Sequence, residues 1–207
     1  MDGTTDVTRT FHYGTPTEFE REVYTRVLLG SIDLARATFL DGTPDTRLDI
    51  LARWNLYQVG LNYRHGTGHG IGAYGFIHES PTQVLSLIST LYLLAITFSP
   101  QVRVYSSEEH PMREGYTFSD EPGYYEPFVG GVRLETVLLT VRKPSLKYGE
   151  KGYGSFLGFE PICLVPFETK LINYDLLSDS QLDWLNNYNR LIREKVGPSL
   201  EAQDKAR

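Results

Sequence analysis

The sequence predicts an α+β domain, and three observations carry that expectation. Strand-like and helix-like segments follow one another without the regular strand–helix–strand rhythm of a parallel sheet. Two segments open with helix-starting patterns, Thr15-Pro16-Thr17-Glu18 and Ser178 with Gln181 three residues on. Between them lie extended stretches rich in β-branched and aromatic residues. Hydrophobic content of 41% beside 22% charged residues is that of a folded chain, and 207 residues suffice for one sizeable domain, or one with an extension.

The elements are expected in this order. Asp6 to Tyr13 reads as a strand that Gly14 closes. A helix starts at Thr15, with Pro16 in its first position, and runs to about Phe39, turning Phe19, Val23, Val27 and Leu34 to one buried face. A second helix spans about Thr46 to Gln58 and is ended by Gly60. The glycine-rich stretch 64–72 follows as a strand, then Gly131 to Arg142 and Ser155 to Phe167 as two further extended regions. The last helix is capped by Ser178 and Gln181, turns Leu182, Leu185, Leu191 and Ile192 inward, and stops at Gly197-Pro198.

Charge and cysteine usage narrow the function classes. A net charge of −6 without any basic stripe argues against a nucleic-acid surface. The single cysteine, Cys163, cannot form an internal disulfide, and the polar first residues lack a signal-peptide pattern; both point to a reducing, cytoplasmic setting. Cys163 lies in the apolar run from Pro161 to Pro166, so a buried structural thiol is expected rather than a nucleophile.

Chemistry-bearing residues concentrate in a few places. In Arg64-His65-Gly66-Thr67-Gly68-His69 two imidazoles stand four residues apart among glycines, which cost roughly 1 kcal/mol each in a helix interior, so this is no helical zinc motif. In an extended chain His65, Thr67, His69 and Ile71 share one face, and the bare glycine face admits another backbone closely. The bland alternative is a glycine-rich turn with two surface histidines. Asp120-Glu121 precede a Pro-Gly turn, and Arg133 and Glu135 share a strand face on which simple solvation is the competing reading. Taken together, Asp6, His69, Glu121 and Glu135 form an oxygen-rich set with one imidazole, suited to Mn²⁺, Co²⁺ or Zn²⁺ held as a bridged pair.

Five strings carry a resemblance: Gly3 to Thr10 (GTTDVTRT), His65 to Gly70 (HGTGHG), Asp120 to Tyr125 (DEPGYY), Gly131 to Glu135 (GVRLE) and Phe159 to Pro166 (FEPICLVP). In this order they closely resemble the catalytic domain of the Xaa-Pro aminopeptidases (aminopeptidase P), and Trp184 to Tyr188 looks like the ending of the eukaryotic cytosolic form. The resemblance implies a partial pita-bread fold, with a curved antiparallel sheet and helices on its outer face. It also implies two divalent ions, commonly Mn²⁺, that activate water and polarise the scissile carbonyl of peptides with proline second. Carried over by position, Asp6 and Glu135 resemble the bridging carboxylates, and His69 and Glu121 the ligands that complete one ion's shell. His65 and His78 resemble the catalytic histidines that face the substrate, and Arg133 a residue that orients the carboxylates. For the full-length family the resemblance allows a homodimer.

Two departures shape the expectations. The family carries a further aspartate ahead of the position of Asp6, which the chain lacks, so at most one firmly held ion is expected and activity is in question. Val84 to Gln101 is apolar where the family has a short loop, and is read as an in-frame intron, against a membrane helix or a folded insertion. Its apolar core of about fifteen residues falls short of the roughly twenty that span a bilayer. Residues 1–172 are thus expected to be an incomplete catalytic domain and 173–207 a helical extension. The competing functions are a non-catalytic pita-bread binding module, an inactive truncated product and, among enzymes, a prolidase.

Overall fold

A computed structural model describes residues 4–72, 77–78, 83–84, 110–128, 130–144, 146–149 and 152–200. The apolar stretch after Val84 lies outside them. Helix α1 spans Glu18–Ala35 and is capped by Thr17, whose hydroxyl accepts the Glu20 N–H at 3.2 Å while the Glu20 carboxylate accepts the Thr17 N–H at 2.6 Å. The start falls two residues beyond the expected one because Thr17 and Glu20 satisfy two free N–H groups reciprocally, which Thr15 and Glu18 do not. The helix ends at Ala35, short of the expected Phe39, because Thr38–Leu40 leaves as strand β1 to pair with β8 (Phe156–Pro161).

α1 is the common wall of two apolar clusters. Tyr24, Val27, Leu28 and Ile32 pack with Leu56, Tyr63, Leu134, Phe167, Leu185 and Tyr188. Leu34 and Ala35 pack with Phe39, Leu48, Ala52, Phe118, Leu138, Leu157 and Phe159. Each such side chain, fully buried, contributes roughly 1.5–3 kcal/mol. Val23, Val27 and Leu34 are buried as expected, but Phe19, near the helix start, is 49% exposed. Helix α2 (Asp49–Tyr57), entered through a 3₁₀ turn at Asp45–Leu48, crosses α1 at Gly30. A Cβ there would stand 2.1 Å from the Ala52 carbonyl oxygen, so only glycine permits that crossing.

The sheet has the order β1-β8-β7-β4 and is antiparallel throughout, with β4 at Thr117–Asp120 and β7 at Thr136–Arg142. β5 (Gly123–Glu126) and β6 (Gly130–Arg133) form a separate hairpin, and β2 (Gly68–His69) pairs with β3 (Gln83–Val84). All four expected extended segments are shorter as strands than foreseen, Ser155 to Phe167 being strand only over β8. Asp6 to Tyr13 is tied down by a single bridge, Thr8 to Glu135. Among the described residues stretch 64–72 is strand at Gly68–His69 and bridges at Gly70, with Thr67 and Ile71 bonded to Glu121 and Thr117, so His65 lies in a loop rather than on one strand face with His69. Gly131 to Arg142 breaks at Leu134-Glu135, because β6 turns to β5 whereas β7 joins the main sheet.

Helix α3 spans Asp179–Lys195 with the expected Ser178–Gln181 cap. Of its expected inward residues Leu185 is buried and Ile192 packs on the first cluster, whereas Leu182 is exposed and Gln181 and Tyr188 are buried as well. Cys163 is half-buried and free, not the fully buried thiol expected from its apolar neighbours. Among the described residues no helix is long and apolar enough to cross a membrane.

Candidate metal centre

Three close contacts of backbone N–H groups assemble the site. The Glu135 N–H donates to the Thr8 carbonyl at 2.9 Å, which sets Asp6 against Glu135. The Glu121 N–H donates to the Thr67 carbonyl at 2.7 Å, and the His69 N–H to the Ser119 hydroxyl at 3.0 Å, which sets the histidine strand against the end of β4. Gly68 allows the second approach. A Cβ on it would lie 1.6 Å from the Ser119 carbonyl oxygen, so the bare face expected of the glycines is used here as foreseen.

Asp6, His69 and Glu135 each offer a ligand atom, and these atoms lie within 4.8 Å of one another. His69 Nε2 is 3.4 Å from Asp6 Oδ2 and 3.3 Å from Glu121 Oε1. All four expected ligands therefore come together. The His69 Nδ1–H donates to the Gly70 carbonyl at 3.0 Å, which fixes the tautomer and aims Nε2 into the cluster. Asp6 Oδ2 is buried without a hydrogen-bond partner, a costly position for a carboxylate oxygen unless a cation completes it. The donor set fits a divalent cation.

The two glutamates are pushed apart electrostatically. Burial, reinforced by the charges of Glu121 and Asp6 and opposed by the hydrogen bond from the Thr8 hydroxyl, raises the Glu135 carboxyl to about 7. Burial would also raise Glu121, but its hydrogen bond to His69 and the charges of His69 and Arg133 outweigh that and hold it below the ordinary value. For His69 burial acts downward; the Glu121 bond, the Gly70 carbonyl and the two carboxylates prevail, and the imidazole is raised. Asp120, fully buried behind the site, accepts the Ser31 hydroxyl at 2.9 Å, and burial raises its carboxyl well above the ordinary value.

The remaining expected residues form the rim. Arg133 reaches Glu121 at 3.6 Å and donates to the Tyr125 hydroxyl at 2.8 Å. That hydroxyl stands 2.9 Å from His65 Nε2, and His65 Nδ1 is 2.7 Å from the Gly66 carbonyl. A carbonyl can only accept, so Nδ1 bears the proton, Nε2 accepts from Tyr125, and Tyr125 accepts from Arg133. Burial, with the positive Arg133 nearby, keeps His65 below its ordinary value and neutral. The exposed His78 lays its ring on His69, with centroids 3.8 Å apart. Tyr125, Thr8 and Ser119 complete the centre and were not singled out from the sequence. The Tyr125 signal was its place at the end of the DEPGYY string.

Beneath the loop sits a buried polar brace. The Arg53 guanidinium, 1% exposed, donates to Asp49 at 2.7 Å, to the Tyr63 carbonyl at 2.7 Å and to the His65 carbonyl at 2.8 Å. The Thr67 hydroxyl donates to Asp49 at 2.5 Å. α2 thereby fixes the loop that presents both histidines.

Such a cluster, with a buried carboxylate oxygen that lacks a hydrogen bond, could hold a divalent cation of the kind metallohydrolases use. Residues 1–142 match metallopeptidase family M24 and residues 155–207 match the C-terminal region of peptidase M24; the chain belongs to metallopeptidase family M24. It is 45% identical over 200 residues to the Xaa-Pro aminopeptidase 2 of Sus scrofa, covering 97% of this chain and 26% of that protein. It is 43% identical over 202 residues to the aminopeptidase P1 of Lotus japonicus, covering 97% and 27%. The chain thus spans about a quarter of the length of the curated relatives it matches. Among solved structures, the X-prolyl aminopeptidase from Caenorhabditis elegans, described as a cytosolic enzyme with a di-nuclear active site, superposes with a TM-score of 0.80 at 33% identity, over 98% of this chain and 29% of that one. The prolidase from Pyrococcus furiosus gives 0.53 at 27% identity, over 75% and 35%. The fold is a partial pita-bread, with mixed helices and antiparallel sheets.

Proposed function

We propose that this chain is a metallo-aminopeptidase unit that releases the N-terminal residue from peptides with proline in second position, using Mn²⁺ held by Asp6, His69, Glu121 and Glu135. The observation that carries this reading is the convergence of ligand atoms of Asp6, His69 and Glu135 within 4.8 Å, with Asp6 Oδ2 buried and lacking a hydrogen bond. A divalent ion bound there supplies a water of lowered pKa and polarises the scissile carbonyl.

The chain's own residues do the rest. Glu135, raised to about 7 while the site holds no cation, would be kept ionised by a bound ion, and Glu121 is held below its ordinary value by His69 and Arg133. Neutral His65 and exposed His78 flank the cluster from the open side and face the substrate. Arg133 steadies Glu121 and, through Tyr125, the ring of His65. A prolyl bond lacks an N–H and has a fixed φ, so its recognition rests on shape and on the free amino end. The tighter likeness to the X-prolyl aminopeptidase than to the prolidase favours aminopeptidase over dipeptidase specificity. A cytoplasmic setting accords with the single free cysteine and with the cytosolic description of the worm enzyme.

The test is cleavage of an Xaa-Pro-Pro peptide with and without Mn²⁺. Release of the first residue that depends on Mn²⁺ and is abolished by His69→Ala supports the assignment. Equal cleavage by the His69→Ala protein would refute it.

A further inference from the structure

Arg9 is absent from the ligand set, yet it holds the bridge on which two ligands hang. Its Nη1 donates to the Thr8 carbonyl at 2.9 Å and to the Glu135 carbonyl at 2.6 Å, the two acceptors of the Thr8–Glu135 bridge. Nε and Nη2 donate to the Val165 carbonyl at 3.1 and 2.7 Å, and Nη2 also reaches the Thr136 hydroxyl at 3.2 Å and the Tyr188 hydroxyl at 2.9 Å. The guanidinium carbon stands 4.2 Å over the Phe167 ring. Among the described residues Arg9 makes no ion pair; its partners are carbonyls, hydroxyls and a ring.

Those partners join two parts of the molecule. Thr8, Glu135 and Thr136 belong to the metal-centre segments, whereas Val165, Phe167 and Tyr188 belong to the C-terminal region. Tyr188, on α3, is 3% exposed, stacks on Trp184 with centroids 5.2 Å apart, and accepts the Val165 N–H at 3.2 Å. The aromatic stack therefore fixes Tyr188, Tyr188 and Val165 fix the planar fork of Arg9, and the fork fixes two carbonyls at once, a geometry that lysine cannot reproduce.

We infer that Arg9 is a positioning residue that sets the separation of Asp6 and Glu135, and that α3 holds it in place through Tyr188. The C-terminal region is thus a support of the metal centre and not an appendage to it. The inference rests on the proposed role of Asp6 and Glu135 as metal ligands.

The test compares Tyr188→Phe and Arg9→Lys with the parent chain by calorimetric titration with Mn²⁺ and by amide hydrogen exchange of the metal-free protein. Mn²⁺ affinity is expected to fall about tenfold in Tyr188→Phe and up to about 100-fold in Arg9→Lys, the range for outer partners of metal ligands. Exchange of the Glu135 amide should accelerate while the Thr140 amide, bonded to the Tyr116 carbonyl at 2.8 Å in the main sheet, keeps its protection. Equal acceleration of both amides, or of neither, with Mn²⁺ affinity within twofold of the parent overturns the inference. If the parent itself takes up no Mn²⁺, the metal assignment fails; selective loss of Glu135 protection then still upholds the clamp, and its absence still overturns it. Should Arg9→Lys not fold, Tyr188→Phe carries the comparison alone.

Discussion

Gly68→Ala is expected to damage the metal centre and the fold together. The new Cβ would stand 1.6 Å from the Ser119 carbonyl oxygen and 2.7 Å from its carbon, where ordinary contact begins near 3.4 Å. The obstacle is backbone, so no rotamer change relieves it, and β2 must part from β4. That separation strains the Glu121–Thr67 bond of 2.7 Å and the His69–Ser119 bond of 3.0 Å, and carries His69 away from Asp6 and Glu121. Overpacking of this kind costs about 3 kcal/mol or somewhat more, which in a chain of this size lowers Tm by roughly 6–12 °C. Metal ligands tolerate displacements of only about 0.2 Å, so Mn²⁺ affinity should fall by at least about tenfold. Differential scanning calorimetry with and without Mn²⁺, together with titration calorimetry, reads both effects. Gly197→Ala, with nothing within 4 Å of its Cβ, serves as the control that should change neither. A Gly68→Ala protein with parental Tm and parental Mn²⁺ affinity would show that the close approach does not exist.

Other perturbations follow from the same geometry. Arg53→Leu leaves Asp49 buried without its cation and should cost about 3–5 kcal/mol in urea unfolding; a cost below about 1 kcal/mol would mean the brace is not buried. Tyr125→Phe removes the donor to His65 Nε2 and the acceptor for Arg133, so peptide turnover should drop while Mn²⁺ affinity stays within about twofold; a matching loss of affinity would place Tyr125 closer to the ion than the hydrogen bonds do. Glu135 binds a proton up to about 7 when folded but only to 4.5 at its ordinary value, so between these pH values the folded metal-free chain holds more protons than the unfolded one. Its contribution to stability therefore falls as pH rises across that window, whereas Mn²⁺, which requires the ionised carboxylate, should raise Tm progressively more. Thermal scans from pH 5 to 8 that show a Mn²⁺ effect independent of pH would contradict the assignment.

The candidate ligands were legible in the sequence and their supports were hidden. His69, Glu121 and Glu135 lie in short strings whose residue types suit a cation wherever the backbone takes them, and the glycines around His69 announce a close neighbour. Side-chain alternation failed where pairing changed partner within a segment, as at Leu134-Glu135, because periodicity registers a strand but not which sheet it joins. The start of α1 was misplaced by two residues because both Thr15 and Thr17 precede a glutamate at capping distance, and only the reciprocal hydrogen bonds distinguish them. Arg9, Tyr125 and Tyr188 lie in strings that carry the family resemblance but point to no role by themselves, and Arg53 lies outside every such string. Their roles arise from contacts across separations such as the 179 residues from Arg9 to Tyr188, which no local pattern records.

Those hidden residues explain how short strands can hold a precise centre. β2 has two residues and the Thr8–Glu135 contact is one isolated bridge, so neither has a ladder long enough to resist displacement by itself. Each is fastened instead by a guanidinium that binds carbonyls at its base: half-buried Arg9 under Thr8 and Glu135, and buried Arg53 under Tyr63 and His65. Guanidinium suits the task because it stays charged at every accessible pH and presents several donors in a fixed plane. The two braces are anchored in different helices, Arg53 within α2 and Arg9 against α3. Loosening one should therefore disturb its own pair of ligands before the other's, with Asp6 and Glu135 answering to α3, and His69 with its loop answering to α2.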